Sequence, residues 1–159
     1  SIGYSTAVNN AVDFIQKVDT SMKAFDRTCI YEVMGRHCPD IANSVAKQMN
    51  ACYTFTDKST NQDLLKAVKK ELKTNTSPII ILQENTTNID ELKKYLQDNL
   101  PHRDIKSAVV GYVQRGGYAT NTDLIMSAGF AKKVADCIKS GIYNVMVVYK
   151  NSEFKTVEL

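Results

Sequence analysis

Two arginines and a glutamate stand out as side chains whose type and surroundings could do chemistry. Arg36 follows a glycine in EVMGRHCPD, Glu32 to Asp40. Arg115 precedes two glycines in Gln114-Arg115-Gly116-Gly117, and Glu84 sits in Gln83-Glu84-Asn85. A guanidinium is a planar fork of donors that keeps its charge at neutral pH, so it suits phosphate or carboxylate. An ionised glutamate only accepts and can take sugar hydroxyls. Gly35 and Gly116-Gly117 let backbone approach a bound group closely. Two cations, one carboxylate and nearby amides describe a sugar-phosphate pocket. The same residues would serve as exposed loop arginines and a turn glutamate, so spacing leaves both readings open.

Other chemistries find less support. His37 and His102 are too few for a metal site or a catalytic triad, and the cysteines Cys29, Cys38, Cys52 and Cys137 form no CxxC. They read as reduced thiols, with Cys38 a buried structural one. There is no GxGxxG and no GxxxxGK[ST], so no nucleotide-binding loop is expected. The formal charge is only +3, with lysines spread along helix faces and no aromatic ladder, which argues against nucleic acid as a partner. The apolar fraction of 43% and charged fraction of 23% are those of a soluble globular protein. The dense apolar runs, such as Pro78 to Leu82, are strand-length, so no membrane span is expected and a cytoplasmic location is. A chain of 159 residues suits a single domain with its own core.

Elements that would position the three polar clusters follow from periodicity. Ala7, Ala11, Phe14, Ile15, Val18 and Met22 recur at helical spacing. Arg27 to Val33 reads as a strand. Pro39 and Asp40 suit the first turn of a helix reaching about Asn50. Cys52 to Phe55 is a short strand, and Thr60-Asn61 can cap a helix with Leu64, Leu65, Val68 and Leu72 inward. Pro78 to Leu82 suits a strand covered on both faces. Asn88 and Glu91 have capping-box spacing and open a further helix. Ser107 to Val113 is expected as a strand and Gln114 to Gly117 as a loop. Asn121 to about Ser140 is a helix stopped by Gly141, and Ile142 to Tyr149 with Glu153 to Val157 form a hairpin joined at Asn151-Ser152. This alternation implies an α/β fold: three layers, α/β/α, around a mostly parallel sheet, with a carboxy-terminal helix and hairpin. In such folds ligands bind at the carboxyl ends of strands, where all three clusters fall.

The motifs YEVMGRHC and GYVQRGG, in this order and separated by an ILQEN segment, resemble the 6-phosphofructokinase family. The leading STAVNNAVDFIQKVDTSMKAFDRT and the later DLIMSAGFAKKVADCI are similar to the family's flanking segments, so the resemblance covers almost all of the chain. What it matches is the sugar-phosphate-binding half. The glycine-rich ATP site and the catalytic aspartate loop of the family do not occur here, which implies a fragment that does not turn over by itself. The resemblance implies phosphorylation of fructose 6-phosphate to the 1,6-bisphosphate in glycolysis, with ATP and Mg²⁺ as cofactors of the parent enzyme and none held tightly by this chain. It also implies a homo-oligomer, with residues 116–159 packing toward the ATP half. The fragment that the resemblance implies is also expected to self-associate. Ile125, Phe130, Val134, Ile142, Val145 and Val147 would otherwise lose apolar partners.

By the same resemblance, Arg36 approaches the transferring phosphoryl group. Met34 and Gly35 lie against the sugar, Glu84 holds its hydroxyls, and Arg115 binds the 6-phosphate. Arg27 reaches that phosphate across a subunit interface. Lys106 stands where the family has a second such arginine and keeps the charge without the bidentate fork. Tyr112 stands where the family has histidine and can still donate one hydrogen bond. Pro39 and Leu124 also depart from the family pattern. Lys73 to Pro78 is poor in the lysines that build the bacterial effector site. The alternative of a different class is a non-catalytic sugar-phosphate-binding or regulatory protein of the same fold. Choice between ATP and pyrophosphate as donor stays open.

Overall fold

A computed structural model describes residues 2–159. Contacts resolve the chain into two compact units, Ala7–Gly117 and Tyr118–Leu159 with the residues up to Thr6.

In the larger unit α1 (Tyr4–Lys23, from Ala7 onward) is followed by β1 (Thr28–Val33), α2 (Asp40–Met49), β2 (Tyr53–Phe55), α3 (Asn61–Glu71), β3 (Ile79–Gln83), α4 (Ile89–Asn99) and β4 (Ile105–Val109). The four strands form one parallel sheet in the order β2-β3-β1-β4. Side chains alternate across each strand, so the two faces can be told apart. Ile30, Ile80, Leu82 and Ile105 pack with Phe55 and with Leu64, Val68, Leu92 and Leu96 of α3 and α4 in one core. Cys29, Tyr31, Val33, Ile79 and Ile81 are equally buried on the other face. There α2 packs on β2 and β3, and Asp19 of α1 stands beside Tyr31 and Cys29. The result is the expected three-layer α/β arrangement.

Local signals set the ends of these elements. The Thr60 hydroxyl accepts from the Asp63 amide, and the Asn88 side chain accepts from the amides of Asp90 and Glu91. Each cap is worth roughly 0.5–2 kcal/mol. Each buried Leu or Ile contributes roughly 1.5–3 kcal/mol. With nine buried residues in that one core, packing rather than capping holds the sheet together.

Three expectations need correction. The strand read over Ser107 to Val113 is instead Ile105–Val109, followed by a 3-10 helix over Gly111–Arg115. Val110 leaves the strand in helical conformation and Gly111 takes φ 58°, which turns the apolar run out of the sheet. In α1 the buried line is Ala7, Val8, Ala11, Ile15 and Asp19, whereas Phe14, Val18 and Met22 of the periodic set are only half-buried. A carboxylate occupies the last inward position, paired with Lys23 at 2.7 Å. Cys38 is exposed rather than buried, because it lies on the turn between β1 and α2.

The smaller unit holds α5 (Asn121–Lys139) and the antiparallel hairpin β5 (Val145–Lys150) and β6 (Glu153–Glu158). Gly141 (φ 65°) ends α5: its amide donates to Ile138, and that of Ile142 to Cys137. Those two bonds make a Schellman stop. Asn151 and Ser152 both take positive φ, 54° and 61°, as a two-residue type I′ turn requires. Phe154 meets Phe130 edge-to-face, with ring centres 5.0 Å apart, and Tyr149 at a tilt, 4.8 Å apart. A Cβ on Gly129 would collide with the Phe154 ring, so a larger residue there would have to displace that ring.

Candidate functional site

The polar clusters meet because of strand order. Right-handed crossovers carry the chain from β1 to β2 in one direction and from β3 to β4 in the other. The loops leaving the neighbours β1 and β3 therefore diverge to opposite faces and open a crevice at their carboxyl ends. Register brings the ends within one residue of each other: Val33 pairs with Gln83, and Glu32 with Val109. Met34, Glu84 and Val110 thus leave the sheet side by side.

A cleft of about 230 Å³ lies there, lined by Glu32, Val33, Met34, Glu84, Val109, Gly111, Tyr112 and Arg115. Four residues singled out from sequence, Met34, Glu84, Tyr112 and Arg115, thus share one cavity. Gly35 and Arg36 adjoin it. Glu84 Oε1 accepts the Gly35 amide at 2.9 Å and the Arg36 amide at 3.1 Å. Those amides are spent inside the protein, and among the described residues the other carboxylate oxygen accepts no hydrogen bond. The Arg36 side chain is exposed. Arg115 and Tyr112 are three apart on the 3-10 helix, so their side chains share one side. The Arg115 guanidinium carbon lies 5.0 Å from the centre of the Tyr112 ring, close enough for a cation–π contact.

Three participants were not singled out from sequence. Glu32 lines the cleft from within β1, and burial first, then the neighbouring Glu84 charge, pushes its carboxyl above the usual range. Gln83 donates to the Gly35 carbonyl at 2.8 Å, and Gln114 bonds both polar groups of the Met34 backbone. A charged residue in an otherwise apolar strand was the one available signal for Glu32. For the glutamines there was none beyond adjacency to Glu84 and Arg115.

Arg27 and Lys106 are not brought to this cleft. They sit at the amino ends of β1 and β4, and Lys106 pairs with Cys29 in the ladder. At about 3.3 Å per residue that end is roughly 20 Å from Met34. Both cations hold Asp104, Lys106 at 2.9 Å and Arg27 at 2.7 Å. Lys106, then Arg27, lowers the Asp104 carboxyl below the usual carboxylate range. Among the described residues no group of three or more His, Cys, Asp or Glu could hold a metal ion, and no helix is long and apolar enough to cross a membrane.

The family model described as phosphofructokinase matches residues 1–138. The chain belongs to the phosphofructokinase family. An ATP-dependent 6-phosphofructokinase of Sulfurihydrogenibium sp. is 34% identical over 168 residues, covering 100% of this chain and 51% of that protein. The chain spans about half the length of the curated relatives it matches. Among solved structures, phosphofructokinase from Saccharomyces cerevisiae aligns with a TM-score of 0.85 at 22% identity, over 99% of this chain and 23% of that one. A pyrophosphate-dependent phosphofructokinase from Nitrosospira multiformis aligns at 0.71 and 19% identity, over 99% and 44%. At such identities the likeness is one of fold. The phosphofructokinase fold accounts for both the parallel sheet and the carboxy-terminal hairpin.

Proposed function

We propose that this chain is the fructose 6-phosphate-binding half of a 6-phosphofructokinase. What carries the reading is the cleft itself. Glu84, Met34 and Arg115 come from three different elements and line one cavity, with Arg36 on the adjoining turn. Glu84 takes the sugar hydroxyls on the carboxylate oxygen not used by Gly35 and Arg36. Arg115 holds the 6-phosphate, and Tyr112 steadies its guanidinium. Met34 and Gly35 form the surface against the sugar. Arg36 places positive charge where a phosphoryl group would arrive at the 1-hydroxyl, and such chemistry depends on position and charge. Binding the distal phosphate orients that hydroxyl.

ATP with Mg²⁺ would supply the phosphoryl group in a complete enzyme. The donor set of this cleft, two carboxylates and a guanidinium, fits hydroxyls and an anion better than Mg²⁺. Neither ATP nor Mg²⁺ is expected to bind this chain tightly, and the chain by itself is expected not to turn over. Arg27 and Lys106, remote from the cleft, would serve a second copy's 6-phosphate in a homo-oligomer. The segment 116–159 would pack toward an ATP-binding half, in a cytoplasmic, glycolytic enzyme.

A second reading, a non-catalytic sugar-phosphate-binding or regulatory protein, is favoured by one observation: both remote cations are already paired with Asp104. Titration calorimetry with fructose 6-phosphate, beside Arg115→Ala and an ATP-coupled activity assay, tests the primary reading. We expect weak binding that Arg115→Ala reduces about tenfold, in line with a charge-assisted phosphate contact, and no turnover. Binding indifferent to Arg115 would sink the site. Turnover above a buffer blank would sink the inactivity.

A further inference from the structure

We propose that Gln114 and Asn10, neither of which lines the cleft, are the positioning residues that set Arg115 against the Met34-Gly35-Arg36 turn. Strand β4 stops at Val109, and the last backbone bond from its exit runs from the Val110 amide to the Glu32 carbonyl. A continuing β4 would have partnered the next residues of β1. Instead the 3-10 helix turns away and leaves Met34 without a strand neighbour on that side. A half-buried amide and carbonyl left unpaired there would be costly.

Gln114 fills the gap. It is only 1% exposed, the one buried residue of the 3-10 helix. Its Oε1 accepts the Met34 amide at 2.9 Å and its Nε2 donates to the Met34 carbonyl at 3.3 Å. Both polar ends of the side chain are spent on the backbone of one residue, as a strand partner would do. Asn10 of α1 secures the other side of Arg115. Its Nδ2 donates to the Gln114 carbonyl at 3.3 Å and to the Gly116 carbonyl at 2.6 Å, so the backbone is held on both flanks of Arg115. Arg115 itself is exposed and touches only Tyr112 among the recorded ring and ionic contacts. Its place relative to Met34 is therefore inherited from Gln114 and Asn10.

The inference rests on the sugar-phosphate reading of the cleft, and its test separates the two. Gln114→Leu removes both bonds at similar volume. Gln114→Glu keeps the acceptor for the Met34 amide and replaces the donor to the Met34 carbonyl. Asn10→Ala frees Arg115's backbone alone. Each is compared with the unmodified chain by thermal melting, by hydrogen exchange at the Met34 amide without ligand, and by titration with fructose 6-phosphate and with inorganic phosphate.

Inorganic phosphate needs only Arg115, whereas the sugar phosphate must span Arg115 and the Met34 side together. The expected result is faster Met34 exchange in Gln114→Leu, partly restored in Gln114→Glu. Fructose 6-phosphate affinity should fall about tenfold in Gln114→Leu and Asn10→Ala, while phosphate affinity changes by less than about twofold, because only the two-sided ligand senses misplacement. Equal losses for the two ligands, or losses that track the unfolded fraction, would overturn the positioning role. If the unmodified chain ignores fructose 6-phosphate, the functional reading fails. Exchange at Met34 still decides whether Gln114 holds that residue, and unchanged exchange in Gln114→Leu overturns the inference outright.

Discussion

Gly35 shows how much one residue carries. It holds φ 144°, and a Cβ there would stand 2.9 Å from the Cys38 carbonyl oxygen. Its amide points at Glu84 and its carbonyl accepts from Gln83. Gly35→Ala should therefore cost about 1–3 kcal/mol in denaturant unfolding, the range for a residue forced into a sparsely populated conformation. Stability equal to that of the unmodified chain would show that the turn relaxes freely. The glycine and the arginine beside it were legible from sequence as a turn between a strand end and a helix start. The partner Glu84, 49 residues away, was legible only as a polar residue at another strand end. Partial burial of Glu32 beside Glu84 was not legible either, since alternation assigns a face but does not say what lies against it.

At the scale of elements, α1 and α5 illustrate a cap that local reading cannot find. No acidic residue stands in the first turn of α1. Asp123, on the first turn of α5, supplies it from 117 positions away, accepting the Thr6 hydroxyl at 2.6 Å and amide at 2.8 Å. It also accepts the Gly3 amide at 2.8 Å and the Thr120 hydroxyl at 3.2 Å. The Thr6 hydroxyl and amide, then Gly3 and Thr120, hold its carboxyl down at about 2. Because the folded value lies below the ordinary 3.8, this stabilisation is full above about pH 4. It is lost as pH falls toward 2. Asp123→Asn should lower the melting temperature at pH 7 and flatten the acid limb between about pH 4 and 2. Parallel acid limbs for the two proteins would refute the cap. Sequence did show Asp123 three residues after Thr120, but only the folded chain brings Thr6 to it.

At the scale of the whole molecule, apolar surface bears on association. Ile125 is 71% and Ile138 61% exposed, and Val134, Ile142 and Met146 are exposed as well. Within the same unit Val134, Ile138, Ile142, Val145 and Val147 line an apolar hollow of about 220 Å³. Contiguous apolar surface of this kind favours association. The chain by itself should form dimers or larger species by multi-angle light scattering at high concentration. A strictly monomeric mass there would mean that the surface tolerates water.

Sequence alone determined the identity and limits of most elements. Caps at Thr60 and Asn88, the Gly141 stop and the Asn151-Ser152 turn each depend on a few neighbouring residues, whose chemistry is complete within a short window. The EVMGR and QRGG motifs carried the family for the same reason, as unbroken runs. Tertiary structure alone decided the order β2-β3-β1-β4, the early end of β4 at Val109, and the gathering of Glu32, Glu84 and Arg115 in one cleft. It also set Arg27 and Lys106 apart at the far end of the strands. These outcomes depend on pairings between residues tens of positions apart, and no local preference encodes which strand will be the neighbour.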